Sequence, residues 1–292
     1  MRSGRTPRLA AVAGGLVLGL ATVTAGCSSE PPDSGLRYVA MGDSFTSAPG
    51  VEPRVDVTCG RSGANYPSLV AEELRVEDFV DVSCGGARSS DVLEAQLLPS
   101  GETVPPQIEA VTGDTDLVTI GLGGNDAGVY GALVTVCREY AGRTDAPCTD
   151  ELQDRVGDEG SEALIGPTVD TLVSAIAEIR SRAPQARILL VGYPLLIEPG
   201  TACEELPLAD GDYALAAAVS TGLNTALQRA ARETEAEYVD VLPATEGHGI
   251  CAAEPWISGV SGVAPFHPLA EGQEAVARSV ARAVLRPRTP VS

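Results

Sequence analysis

The sequence has 292 residues, of which 44% are apolar, and its acidic residues outnumber its basic ones so far that the formal net charge is −20. This length and apolar content predict one large α/β domain with a full core rather than two small domains. All 20 basic residues are arginine. So acidic a chain argues against a nucleic-acid partner and against electrostatic docking on anionic lipid. We also expect a monomer.

Residues 1–27 have the pattern of an export signal. Arg2, Arg5 and Arg8 form a basic start, and the apolar run from Leu9 to Val23 is too short and too rich in small residues for a permanent membrane span. The run ends at Thr24-Ala-Gly-Cys27, which resembles the lipobox of bacterial lipoproteins, in which the cysteine is lipidated. Thr24 replaces the usual leucine of that pattern, so cleavage after Ala25 without lipidation remains an alternative.

The remaining boundaries follow from composition. Residues 28–35 contain two prolines and read as a short tether, 36–287 as the folded domain and 288–292 as a tail. We therefore predict an exported protein of the cell envelope, anchored through lipid on Cys27 to the outer face of the membrane, or else a secreted protein.

The cysteine count agrees with export. Apart from Cys27 there are six cysteines, an even number that suits disulfides in an oxidising compartment. Six cysteines allow 15 pairings, and we choose the sequential one, in which each bridge closes a loop at the functional edge of the sheet. The predicted pairs are Cys59–Cys84, Cys137–Cys148 and Cys203–Cys251. None of these cysteines has the spacing of a zinc site, and we predict no metal and no cofactor.

Strand and helix patterns alternate along the chain. Short apolar runs predict strands over residues 38–41, 78–82, 117–122, 187–193 and 238–241, and apolar positions at helical spacing predict helices over 66–76, 164–182, 213–233 and after Pro268. Residues 48–64 and 137–160 read as irregular. Strands that alternate with helices predict a three-layer α/β/α sandwich around a mainly five-stranded parallel sheet.

Ser44 follows the first predicted strand, in the turn Gly42-Asp43-Ser44. Ligands of open α/β sheets bind at the carboxyl ends of the strands, so Ser44 is placed where a nucleophile would act. Taken alone, Gly-Asp-Ser is more typical of a capped turn.

Two further turns follow strands in the same way. Gly86 lies in a glycine turn after the second strand, where its backbone N–H is able to approach a ligand closely. Asn125 follows the third strand in Gly123-Gly-Asn-Asp126, and its amide is a candidate donor to an oxyanion. The alternatives are a plain tight turn for Gly86 and a helix cap for Asn125.

The chain offers two histidines as a general base. His267 lies after the last strand, and Pro268 is expected to fill the first position of the final helix, which would fix the histidine at a loop-to-helix junction. His248 lies in a glycine-flanked loop near Cys251, and we interpret it as structural. A helix-capping role for His267 is the alternative.

Together these turns resemble the SGNH hydrolases, also called GDSL-type esterases and lipases, over about residues 38–285. Gly42-Asp43-Ser44 matches the nucleophile block, Gly86 the second block, Gly123–Asp126 the third and His267 the last. The cysteine layout and Phe-His-Pro ending resemble the secreted actinobacterial branch. The resemblance implies a flavodoxin-like fold, and an oxyanion hole formed by the Ser44 N–H, the Gly86 N–H and the Asn125 amide.

One position departs from the family pattern. The family usually has aspartate three residues before the histidine, whereas this chain has Ala264. Some members of the branch use a backbone carbonyl instead, and we carry that role to the carbonyl of Ala264.

The resemblance implies an ester hydrolase that acts on small-molecule or lipid esters through a Ser44 acyl-enzyme, with His267 as base. The alternatives are a carbohydrate or cell-wall O-deacetylase on the same residues and a non-catalytic envelope lipoprotein.

Overall fold

The computed structural model describes residues 35–160 and 162–287, together with Met1 and Gly4. The described residues from 35 onward belong to one compact unit. The predicted signal segment, Cys27, all of the tether but Gly35, and the C-terminal tail lie outside the described residues. No helix of the described part is long and apolar enough to cross a membrane.

A five-stranded sheet organises the fold. Its strands are β1 (Arg37–Gly42), β4 (Asp78–Asp81), β7 (Leu117–Gly121), β8 (Arg187–Val191) and β9 (Glu237–Val239). They lie in the order β4-β1-β7-β8-β9, and each neighbouring pair is parallel. The short hairpins β2–β3 (Arg54–Asp56, Arg61–Ser62) and β5–β6 (Gln96–Leu97, Thr103–Val104) lie apart from it. The predicted α/β class and parallel sheet are confirmed.

The α-helices of the described residues are α1 (Ser44–Ser47), α2 (Tyr66–Glu73), α3 (Val129–Val134), α4 (Pro147–Val156), α5 (Glu162–Arg182), α6 (Tyr213–Thr234), α7 (Leu242–Thr245) and α8 (Ala270–Leu285). Short 3₁₀ turns cover Ser89–Val92, Gln107–Ala110, Cys137–Tyr140, Gly157–Glu159 and Asp210–Asp212.

Side chains of the central strands alternate between the two faces of the sheet. Met41 and Ile120 belong to the core that includes α5 and α6, whereas Tyr38 and Leu117 belong to the core that includes α2 and α8. This alternation is the period of two of a β-strand, and because both faces are covered the strands read as continuous apolar runs. The helices on the two faces form the outer layers of the sandwich.

Three expectations about local structure are wrong. The segment 48–64 was expected to be irregular but contains the hairpin β2–β3. The segment 137–160 was expected to be irregular but contains α4. The reason is tertiary: the buried carboxylate of Asp212 accepts hydrogen bonds from the backbone N–H groups of Cys148 (3.1 Å) and Thr149 (2.8 Å), which starts the helix from 64 residues away. Pro268 is not the first helical residue either, because α8 begins at Ala270 with Leu269 as its N-cap.

Candidate active site

Ser44 is the first residue of the short helix α1, immediately after β1 and a one-residue cap. The side chain of Gln107 holds the end of the strand by accepting from the Gly42 N–H (2.9 Å) and donating to the Gly42 carbonyl (3.0 Å). A Cβ at Gly42 would lie only 2.1 Å from Oγ1 of Thr46, so this close approach requires glycine. The turn therefore presents a half-buried Ser44 at the carboxyl end of the sheet.

Two backbone N–H groups near this turn have no hydrogen-bond partner among the described residues. Those of Ser44 and Gly86 donate no hydrogen bond to any residue that the structure describes. Gly86 has φ +76°, a left-handed conformation that glycine adopts without strain. Ser44 is half-buried and Gly86 is exposed, so both N–H groups are open to water or to a ligand.

Asn125 lies in the turn after β7, where the sequence predicts it. Its Nδ2 donates to the carbonyl of Ala87 at 2.8 Å, which ties the third candidate donor to the loop that carries Gly86. A side-chain amide has two N–H bonds, and the carbonyl uses one of them. The second N–H donates to none of the described residues.

A buried pair that the sequence reasoning missed supports these loops. The hydroxyl of Tyr193 donates to Oδ2 of Asp43 (2.5 Å) and accepts from the Gly124 N–H (2.8 Å), while Oδ1 of Asp43 accepts from the Phe45 N–H (2.8 Å). Burial raises the pKa of Asp43 to about 7, although the Tyr193 hydroxyl opposes the shift. The pair thus links the nucleophile turn to the residue before Asn125. In the sequence, the only feature that pointed to Tyr193 was its position just after a buried strand.

The structure corrects the residue that orients His267. Its Nδ1 lies 2.8 Å from the carbonyl oxygen of Pro265, not of Ala264. The Ala264 carbonyl instead faces the backbone N–H of His267 (3.4 Å), because the chain turns at Phe266 with φ +65°. A carbonyl is only an acceptor, so Nδ1 carries the hydrogen and Nε2 is left with a lone pair. That is the tautomer a general base needs.

Backbone bonds hold the histidine loop in place. The Phe266 N–H donates to the carbonyl of Ser258 (2.8 Å), and the Ser258 N–H donates to the carbonyl of His267 (2.9 Å). The imidazole lies 5.6 Å, between ring centroids, from the ring of Phe45, the residue after Ser44. Burial lowers the pKa of His267, and the bond to Pro265 partly opposes this shift.

Gln273 on α8 connects the two sides of the site. Its Nε2 donates to the carbonyl of Phe45 (2.8 Å), and its Oε1 accepts from the backbone N–H of Tyr66 (2.7 Å). Gln273 is fully buried. It therefore fixes α1, with Ser44, against the helix that follows His267.

His248 has the structural environment that its sequence context indicates. Its ring stacks on Trp256 with centroids 3.5 Å apart, and its Nδ1 lies 2.8 Å from the carbonyl of Glu254. The stack supports the strand-like segment that pairs Ile257 with Pro268.

Three disulfides join Cys59 to Cys84, Cys137 to Cys148 and Cys203 to Cys251, the pairs that were chosen from the sequence. The first of them anchors the glycine turn, because the Gly85 N–H donates to the carbonyl of Cys59 at 2.9 Å. Among the described residues no group of three or more His, Cys, Asp and Glu side chains is placed to hold a metal ion.

An apolar cavity of about 400 Å³ opens beside the Asn125 turn. It begins at Gly123 and Gly124 and continues between α4, α5 and α6, with Leu152, Ile165 and Leu223 among its walls. Its size falls in the range of ligand pockets, about 300–1,000 Å³. Its apolar walls suit a hydrocarbon chain, although Ser44, Gly86, Asn125 and His267 are not among the residues that line it.

Comparisons with known proteins agree with this geometry. Residues 40–275 match the model of the GDSL-like lipase/acylhydrolase family. The chain belongs to this family. It is 37% identical to Lipase 2 of Streptomyces coelicolor over 95% of each chain, and 30% identical to an esterase of Streptomyces scabiei over 86% of this chain and 83% of the relative.

A solved structure of an extracellular lipase from Streptomyces rimosus superposes with a TM-score of 0.70 at 28% identity, covering 86% of this chain and all of the other. The family and its relatives make the protein a carboxylic ester hydrolase, and they favour the enzyme over the alternative of a non-catalytic lipoprotein.

Proposed function

We propose that the protein is an exported serine esterase or lipase that hydrolyses its ester through an acyl-enzyme on Ser44. His267 Nε2 removes the hydroxyl proton as Oγ attacks the ester carbonyl, and the protonated imidazole then protonates the leaving alcohol. Water, activated by the same base, releases the acid. The N–H groups of Ser44 and Gly86 and the amide of Asn125 stabilise the oxyanion.

The hydrogen bond between His267 and Pro265 is the observation that carries this proposal. Because position 264 is alanine rather than aspartate, another acceptor has to hold the hydrogen on Nδ1 of His267. The carbonyl of Pro265, two residues before the histidine, is that acceptor. A neutral carbonyl orients the ring but stabilises the imidazolium less than a carboxylate would. The lowered pKa of His267 agrees with a base that stays neutral at physiological pH.

The apolar cavity supports an ester with an acyl chain longer than acetyl. A deacetylase needs room for two carbons, whereas the cavity beside the Asn125 turn has about 400 Å³ and is lined mainly by apolar side chains. We therefore favour the esterase or lipase over the O-deacetylase.

The test is hydrolysis of p-nitrophenyl esters from acetyl to palmitoyl, followed by mass analysis after a fluorophosphonate probe. We expect a preference for medium or long chains and a single adduct on Ser44, with both activity and adduct lost in Ser44→Ala. Ser47→Ala is the matched control, because its buried hydroxyl in the same helix has no hydrogen-bond partner among the described residues. A steep preference for acetyl would instead support the deacetylase, and an adduct that survives in Ser44→Ala would overturn the mechanism.

We propose further that Cys27 carries lipid and holds the enzyme on the outer face of the membrane. The extracellular relative supports export, and the lipobox-like end of the signal supports the anchor. Full-length protein and its Cys27→Ser variant should partition into the detergent and aqueous phases of Triton X-114, respectively. Equal partitioning would favour secretion without an anchor.

A further inference from the structure

The turn that carries Gly86 is a β-turn whose middle peptide has two possible directions. The Ala87 N–H donates to the carbonyl of Cys84 at 3.1 Å, so Gly85 and Gly86 are the two central residues. Gly86 has φ +76°, close to the value of about +80° at the third position of a type II turn. Rotation of the Gly85–Gly86 peptide converts a type II turn into a type I turn, and with glycine on both sides of that peptide neither form is strained.

The direction of this peptide decides whether the oxyanion hole is complete. In a trans peptide the C=O and the N–H point to opposite sides. In one direction the Gly86 N–H faces the oxyanion, whereas in the rotated form the Gly85 carbonyl oxygen would take its place and repel the negative charge. A group that holds the Gly85 carbonyl on the far side therefore aims the Gly86 N–H into the site.

Gln96 is placed at that carbonyl. Its Nε2 donates to the Gly85 carbonyl oxygen at 2.9 Å and lies 3.8 Å from the position that a Cβ on Gly86 would occupy. The opposite assignment of the amide would bring Oε1 against the carbonyl oxygen, so the hydrogen bond fixes which atom faces the turn. Gln96 is only 6% exposed. The side chain therefore holds the carbonyl from within the protein.

Gln96 departs from the polarity pattern of its own hairpin. Leu97 is exposed, whereas Gln96 and Leu98 are buried, so the glutamine occupies a position at which strand alternation places an apolar residue. Its Oε1 is buried and has no hydrogen-bond partner among the described residues, which lowers the free energy of unfolding. An apolar side chain of the same size would avoid this cost. The stability of the hairpin therefore does not account for Gln96, whereas the direction of the Gly85–Gly86 peptide does.

We infer that Gln96 is a positioning residue that aims the Gly86 N–H at the oxyanion. The inference rests on the proposed function and adds a residue to the support of its oxyanion hole. The β5–β6 hairpin lies apart from the central sheet, and Leu98 packs it against the Cys59–Cys84 disulfide that precedes the turn. The hairpin thus brings a buried amide to the turn from 11 residues further along the chain.

The experiment compares Gln96→Met, which keeps the length of the side chain and removes the donor, with Leu98→Ala, which loosens the same hairpin and leaves Gln96 in place. In Gln96→Met we expect kcat for p-nitrophenyl octanoate to fall about fivefold with KM little changed, since one orienting hydrogen bond is lost. The melting temperature should stay the same or rise, because the unpaired oxygen is removed as well. Leu98→Ala should lower the melting temperature and leave kcat near wild type.

Inhibition by a trifluoromethyl ketone with an octyl chain reports on the oxyanion hole directly. Ser44 Oγ adds to the carbonyl carbon of the ketone, the hydroxyl proton passes to His267, and the carbonyl oxygen becomes an oxyanion with no leaving group to expel. The inhibition constant should rise about fivefold in Gln96→Met, in step with the fall in kcat. It should stay near wild type in Leu98→Ala.

An unchanged kcat in Gln96→Met would overturn the inference. A fall in kcat that Leu98→Ala reproduces would also overturn it, because the hairpin would then only support the loop, and a rise in KM at unchanged kcat would make Gln96 a substrate contact instead. If wild type hydrolyses no ester, the proposed function fails separately. Crystal structures of wild type and Gln96→Met then decide the inference, and a Gly85–Gly86 peptide with the same direction in both would reject it.

Discussion

Two tyrosines that pack against Phe45 show how differently the two halves of the site are held. The rings of Tyr193 and Tyr130 both pack edge-on against Phe45, with centroids 5.1 and 5.4 Å away. The Tyr193 hydroxyl bonds to Asp43 and Gly124 on the oxyanion side, whereas the Tyr130 hydroxyl donates to the carbonyl of Phe266 on the histidine side.

The histidine side depends on backbone geometry. Pro265 orients the imidazole through its carbonyl, and Ser258 pairs with the loop through main-chain bonds. The oxyanion side depends on the side chains of Asn125, Asp43 and Tyr193. We therefore expect substitutions of the supporting side chains to reduce activity more on the oxyanion side. Main-chain support of the histidine loop does not require an aspartate at position 264.

Among substitutions that leave Ser44 and His267 in place, the largest effect is expected for Asn125→Ala. Removing one oxyanion donor typically costs about 3–4 kcal/mol of barrier, so kcat should fall about a hundredfold or more with KM little changed. Steady-state kinetics with p-nitrophenyl octanoate measure this. The melting temperature is the control, because the variant also loses the bond to the Ala87 carbonyl. An unchanged kcat would remove Asn125 from the site.

The second largest effect is expected for Tyr193→Phe, with Tyr130→Phe as its counterpart. Each substitution removes one hydroxyl beside Phe45. Tyr193→Phe leaves the Gly124 N–H and a buried Asp43 oxygen without partners, so we expect kcat to fall about tenfold. Tyr130→Phe should cost less, because backbone bonds to Ser258 also hold the histidine loop. A larger fall in kcat in Tyr130→Phe than in Tyr193→Phe would show that the histidine side depends more on its side chains than the oxyanion side does.

The pH dependence of stability tests the burial of Asp43. Its folded pKa of about 7 exceeds the unfolded value of about 3.9. Between these values the unfolded chain loses the proton first, so the free energy of unfolding falls as pH rises from 4 to 7, by at most about 1.4 kcal/mol per pH unit.

Urea unfolding of wild type and Asp43→Asn at several pH values measures this slope. Asp81 and Asp91, whose pKa values are also raised, remain in the variant, so the difference between the two curves reports Asp43 alone. A difference that does not vary with pH would contradict the burial argument.

The smallest expected effect is a displacement of the acid limb of the activity profile. Burial lowers the pKa of His267, so the base stays neutral, and kcat/KM is retained, below the usual histidine value of about 6.5. The midpoint of the acid limb is measured from kcat/KM for a neutral ester between pH 4 and 8. Measuring it in wild type and in Asp43→Asn distinguishes titration of His267 from titration of Asp43. A midpoint above 6.5 in both would be incompatible with a desolvated base.

The sequence alone was enough to predict the parallel sheet, the order of its main helices, and the turns that carry Ser44, Gly86, Asn125 and His267. These features are local: strand runs and the glycines that end them report burial and backbone conformation at their own positions.

The tertiary structure decided what depends on contacts between distant segments. His267 bonds to the carbonyl of Pro265 because the chain turns at Phe266. Tyr193, 150 residues after Asp43, supports the oxyanion loops. The first turn of α4 donates hydrogen bonds to the distant carboxylate of Asp212. Such hydrogen bonds have no periodicity along the chain, since each partner is chosen by the packing of the sheet and its layers rather than by its sequence neighbours.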